Sequence, residues 1–88
     1  KKFRNLSLAY DALREGGNMP CILNAANEIA VNAFLSEQIA FTQMPDVVEH
    51  AMAETEFSAS PEMEFLEISD KTARDNAKDY INKQLHKR

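Results

Sequence analysis

From Leu23 to Leu35 the chain reads Leu-Asn-Ala-Ala-Asn-Glu-Ile-Ala-Val-Asn-Ala-Phe-Leu. Wound at about 3.6 residues per turn, Ile22, Ala25, Ala26, Ile29, Ala30, Ala33 and Phe34 cover well over half of a helix surface. A helix that apolar needs neighbours on several sides, which makes it the central member of a bundle. Its alanines let those neighbours approach closely. The remaining surface is a polar ridge. Asn24, Glu28 and Asn32 stand at i, i+4 and i+8, with Asn27 alongside. Asn is a mediocre helix former because its amide competes for nearby backbone groups. Two readings of the ridge stay open. It is the solvent side of an amphipathic helix, or its amides and carboxylate tie down a neighbouring segment whose backbone groups need partners.

Capping and breaking signals divide the rest of the chain. A first helix over about 5–15 has Asn5 as its cap, Leu6, Ala9 and Leu13 with Tyr10 as its stripe, and Gly16-Gly17 as its stop. The central helix spans about 21–37, with Pro20 in its first turn and Asn18 or Asn24 as its cap. Thr42 caps a third helix over about 43–55, where Pro45 falls in the first turn and Met44, Val47, Val48, Ala51 and Met52 form the buried stripe. Ser60-Pro61 suits a short helical turn, and Phe65, Leu66 and Ile68 pin that segment. A strand over 64–68 competes, although no second strand exists to pair with it. Ser69 caps a last helix over about 70–85, with Ala73, Ala77, Tyr80, Ile81 and Leu85 on its apolar face. Lys83, His86, Lys87 and Arg88 suit its negative end. The expectation is all-α: one up-and-down bundle of four main helices over residues 1–88, with a short helical turn before the last.

Eighty-eight residues build one modest core. The first residue is Lys, which suggests a processed or excised piece. Neither a signal peptide nor a membrane span is visible, and Cys21 is the sole cysteine, which fits a reduced, cytoplasmic setting. Cys21 reads as a small buried or half-buried filler. Every Lys and Arg lies at 1–14 or 71–88, while eleven acidic residues occupy 15–70. The outer helices are expected to neutralise the middle ones. The alternative is a free-standing acidic helical adaptor that binds a basic protein partner. A net charge of −4 without a basic stripe argues against nucleic acid as a partner.

Motifs of chemistry are sparse. Asp46 and His50 form an i,i+4 pair, but two ligands are too few for a metal. The acidic run from Glu54 to Glu67 lacks the alternation and central glycine of a calcium loop. Gly16-Gly17 lacks the context of a phosphate loop, and no nucleophile elbow is present.

Several segments, taken in order, carry a resemblance. They are Leu6-Ser7-Leu8-Ala9-Tyr10-Asp11-Ala12-Leu13, Gly16-Gly17, Leu23-Asn24-Ala25-Ala26-Asn27-Glu28, Ala33-Phe34-Leu35, Ile39-Ala40-Phe41-Thr42, and Asp70 with Ala73-Arg74. Together they resemble the C-terminal helical domain of the 1-deoxy-D-xylulose 5-phosphate reductoisomerase family, over nearly the whole chain. The resemblance implies a parent enzyme of the non-mevalonate isoprenoid pathway, homodimeric, dependent on NADPH and on magnesium or manganese. It implies upstream nucleotide-binding and catalytic domains that carry the chemistry, and no catalytic, cofactor-binding or metal-binding residue in this segment. The implied role is support of the catalytic domain, with Asn24, Asn27 and Glu28 as the candidates for that contact. Apolar surface that once faced the missing domain would then lie open, at Phe3, Tyr10 or near the central helix, and meet a second copy.

Overall fold

Leu8 and Ala12 turn the first helix, α1 (Arg4–Glu15), toward the core. The computed structural model describes residues 4–85. The further helices are α2 (Met19–Leu35), α3 (Met44–Glu54) and α4 (Met63–Tyr80). One 3-10 turn, Phe41–Gln43, leads into α3, and α4 widens into a π-helical stretch over Ile81–Leu85. The described residues contain no strand, as the helical periodicity predicts. No described helix is long and apolar enough to cross a membrane.

The centre of the bundle is α2, which packs against all three other helices and most extensively against α4 and α3. Ile22, Ala25, Ala26, Ala30 and Ala33 are buried along it. Cys21 meets the Leu66 carbonyl near the start of α4, and Glu28 meets Arg74 further on, so α2 and α4 run in the same direction. His50 stacks on Tyr80, and Asn76 bonds Thr55, so α3 runs opposite to α4. That is the up-and-down course expected of short connections. Met44, Val47, Val48 and Ala51 face α2 and α4 from α3, and Ala73, Ala77 and Ile81 close the core from α4.

Several boundaries differ from the sequence reading. The last helix starts at Met63 and not near 70, so the short turn expected before it is its own beginning. The short turn stands instead before α3, where Thr42 lies inside it and Gln43 ties back to the Ala40 amide at 2.8 Å. Ser69 is not a cap. It sits inside α4 with its hydroxyl donated to the Phe65 carbonyl at 2.7 Å. The reason is local: Glu62 takes the cap position and its carbonyl accepts from Leu66, two turns ahead of the polar run that suggested a start at Ser69. This also removes the strand over 64–68. Phe65 and Leu66 are half-buried as expected, whereas Ile68 is exposed. The central helix begins at Met19, one half-turn before the expected start, and ends at Leu35.

The largest correction concerns α1. Its stripe of Leu6, Tyr10 and Leu13 points away from the core, and Leu8 and Ala12 are buried instead. Both faces of α1 are apolar, and the smaller side chains allow the closer approach to α2. Phe3 and the terminal His86, Lys87 and Arg88 lie outside the described residues.

Candidate functional site

The polar ridge of α2 faces outward. Asn24, Asn27, Glu28 and Asn32 are all exposed. They line up because residues four apart on a helix share a face. Glu28 is tied sideways to α4, with its carboxylate 2.6 Å from Arg74, whose Nε also reaches Asp70 at 3.2 Å. The hydrogen bond to Glu28 holds the Arg74 guanidinium above its ordinary range against the opposing effect of burial, with the Asp70 charge adding to it. The ridge presents exposed amides at Asn24 and Asn27 beside a carboxylate already engaged within the bundle.

Two further cross-helix pairs join α1 to α3. Arg4, at the start of α1, reaches Asp46 at 2.8 Å and also Glu49, both in α3. These cross-helix pairs thus run from an arginine of an outer helix to carboxylates of a middle one, which is how the uneven charge is met inside the fold. The His50 ring lies 4.6 Å from that of Tyr80 and is stacked on it. Among the described residues no three His, Cys, Asp or Glu side chains gather closely enough to hold a metal.

One functional side chain escaped the sequence reading in its role, though not in its position. Asn18 occupies the cap position of α2 yet makes no capping bond. It is fully buried. Its Nδ2 donates to the Glu56 carbonyl at 2.9 Å and to the Ser69 hydroxyl at 2.8 Å, and its Oδ1 accepts from the Ser58 amide at 2.8 Å. One amide so joins the α1–α2 turn, the α3–α4 connection and the middle of α4. Asn24, the other cap candidate, lies inside α2. The signal for Asn18 was its place between two glycines and Met19-Pro20, where a cap was one of its uses. Nothing in the local sequence marked Ser58 or Ser69 as its partners.

Cys21 is half-buried, as expected, with its Sγ 3.5 Å from the Leu66 carbonyl. Burial, and then Asp70, push its thiol upward, with Arg74 acting the other way. A groove of about 400 Å³ lies between the end of α2 and the end of α4, rimmed by Asn32, Ser36, Gln38, Lys78 and Asn82. These groups donate and accept hydrogen bonds.

The family described as the DXP reductoisomerase C-terminal domain matches residues 1–76. This chain belongs to that family. It is 48% identical over 83 residues to the 1-deoxy-D-xylulose 5-phosphate reductoisomerase of Bacteroides fragilis, a match covering 94% of this chain and 21% of that protein. Over 81 residues it is 49% identical to the reductoisomerase of Bacteroides thetaiotaomicron, covering 92% and 21%. The figures for the Acinetobacter baumannii protein are 51% over 82 residues, covering 93% and 21%. This chain thus spans about one fifth of the length of these relatives. Within the Asn-Ala-Ala-Asn-Glu run that carries the resemblance, Asn24, Asn27 and Glu28 lie on the exposed ridge of the central helix while Ala25 and Ala26 are buried in the core.

Proposed function

We propose that this bundle is the non-catalytic, supporting domain of an NADPH-dependent 1-deoxy-D-xylulose 5-phosphate reductoisomerase of the non-mevalonate isoprenoid pathway. The whole enzyme rearranges a phosphorylated deoxyketose and reduces the product, works in the cytoplasm as a homodimer, and takes magnesium or manganese in its upstream domains. Asn24, Asn27 and Glu28 contribute to the contact between bundle and catalytic domain. The observation that carries this reading is the family match over residues 1–76, joined to a ridge whose amides are exposed at the surface. Exposed amides suit a contact that satisfies another segment's backbone groups. The adaptor reading loses some support because part of the acidic middle, namely Glu28, Asp46, Glu49 and Asp70, already engages Arg4 and Arg74.

The test is a comparison of NADPH oxidation by the full-length polypeptide and by this bundle alone, each with metal and substrate. The full-length enzyme is expected to turn over and the bundle is not. Turnover by the bundle alone would refute the supporting role. A reading frame that opens just before Lys1, with no nucleotide-binding segment upstream, would return the adaptor.

A further inference from the structure

Helix α1 is apolar on two sides. Leu8 and Ala12 face the core, while Leu6, Tyr10 and Leu13 stand 53%, 59% and 69% exposed on the other side. The three recur at i, i+4 and i+7 and form one continuous stripe. Helices apolar on opposite faces are stable in water when both faces are covered. Only one is covered here. The stripe also runs into a second exposed apolar group. Arg4 bonds the first turns of α3, and Phe34 packs edge-on against Phe41 just before α3, with ring centres 5.7 Å apart. The start of α1, the end of α2 and the start of α3 therefore share one end of the bundle. Leu6, Leu35 and Phe41 lie exposed at that end.

We propose that this surface, with Leu6, Tyr10 and Leu13 at its centre, is the seat of the catalytic portion of the same polypeptide. The proposal rests on the reading that this bundle is the C-terminal domain of a whole reductoisomerase. The relatives extend over about four times more chain than the matched segment, and the family assigns this segment to their C-terminal side. That additional chain joins ahead of α1, at the end where the exposed apolar residues collect. A leucine-and-tyrosine stripe is the kind of face that a permanently attached neighbour covers, since the centre of such an interface is depleted of charge and rich in large apolar groups.

The experiment is thiol labelling in the full-length enzyme, read by peptide mass, in a Cys21→Ala background. Leu6→Cys and Leu13→Cys probe the stripe, Asn27→Cys probes the ridge, and Met63→Cys is the exposed reference, since Met63 is 73% exposed on α4. The stripe positions are expected to react at least ten-fold more slowly than position 63. Fast labelling at 6 and 13 with slow labelling at 27 overturns the proposal and keeps the supporting role, with the ridge as its centre. Fast labelling at all four positions overturns both. Protection at 6 and 13 that is lost on dilution assigns the stripe to a second copy and also overturns the proposal. Leu13→Lys supplies an independent readout. The bundle tolerates it because the side chain is exposed there, but the full-length enzyme should unfold at a lower temperature, and an unchanged midpoint counts against the seat.

Discussion

The Asn18 amide and the Ser69 hydroxyl meet at 2.8 Å although 51 positions separate them in the chain. Both residues are buried, and the same amide also holds Glu56 and Ser58. A buried group of this kind contributes more by what its loss strands than by the bonds themselves. Asn18→Ala leaves the Ser58 amide and the Glu56 carbonyl without their partner, which should cost roughly 2–3 kcal/mol in chemical denaturation. Ser69→Ala should cost less, because the residue's other bond, to Phe65, lies within its own helix. The double variant is expected to lose less than the two single losses summed, since both remove the same bond. Strict additivity would mean that the pair is not coupled.

Gly16 and Gly17 both lie in the left-handed region, at φ 71° and 56°. Their surroundings differ. A Cβ at Gly16 meets open space, whereas one at Gly17 would collide with the Ser58 carbonyl and lie 2.9 Å from the Ala59 Cα. Gly16→Ala should therefore cost only the backbone term, about 1–2 kcal/mol. Gly17→Ala must also push away the connection that Asn18 anchors, so its loss should exceed that of Gly16→Ala. Equal losses in parallel melts would contradict the close approach.

Glu37 also has positive φ, at 64°. It ends α2 as a glycine ordinarily would: the Gln38 amide donates to the Ala33 carbonyl at 2.8 Å, and the Glu37 amide to the Phe34 carbonyl at 3.0 Å. Its side chain is exposed, so nothing is lost by removing it. Glu37→Gly should raise stability by about 1 kcal/mol, and Glu37→Val should lower it, because a β-branched residue fits that backbone worst. Thermal melts of the two variants should move in opposite directions.

The sequence showed the bundle clearly because Ala25, Ala26, Ala30 and Ala33 repeat with one period along a single helix. It showed the α3 stripe for the same reason: Met44, Val47, Val48 and Ala51 have no rival face. Helix α1 was misread because it has two candidate stripes, and the more hydrophobic one faces outward. Periodicity finds an apolar face but does not say which neighbour covers it. The start of α4 is less legible because Ser69-Asp70 is a good cap sequence, while the cap is taken by Glu62 and the Ser69 hydroxyl bonds the Phe65 carbonyl inside the helix. The ridge of Asn24, Asn27 and Glu28 was legible as a feature, while the Arg74 partner of Glu28 was not, since it depends on how α2 and α4 are aligned.

That Glu28–Arg74 pair is close in geometry but modest in energy. The two side chains keep 57% and 31% of their exposure, so water and salt screen the attraction. Glu28→Gln should lower the stability of the bundle by less than about 1 kcal/mol, with the difference shrinking at high salt. A larger effect on the full-length enzyme than on the bundle would place the work of Glu28 in the contact between domains. Identical effects in both would confine it to the bundle.

Cys21 offers a pH-dependent readout of the α2–α4 contact. Burial is the main cause that raises its thiol, Asp70 adds to it, and Arg74 opposes it. The thiolate is the reactive form, so the rate of alkylation should reach half its maximum at a pH above that of an ordinary thiol. The folded state thus holds the thiol proton more tightly than the unfolded chain. The resulting stabilisation is complete below the unfolded thiol value and is lost as pH rises through the folded one. Arg74→Ala removes the opposing charge and should move the alkylation midpoint further upward, while Asp70→Asn should move it down. An Arg74→Ala midpoint that falls would show that burial and charge act on Cys21 in some other way than this packing implies.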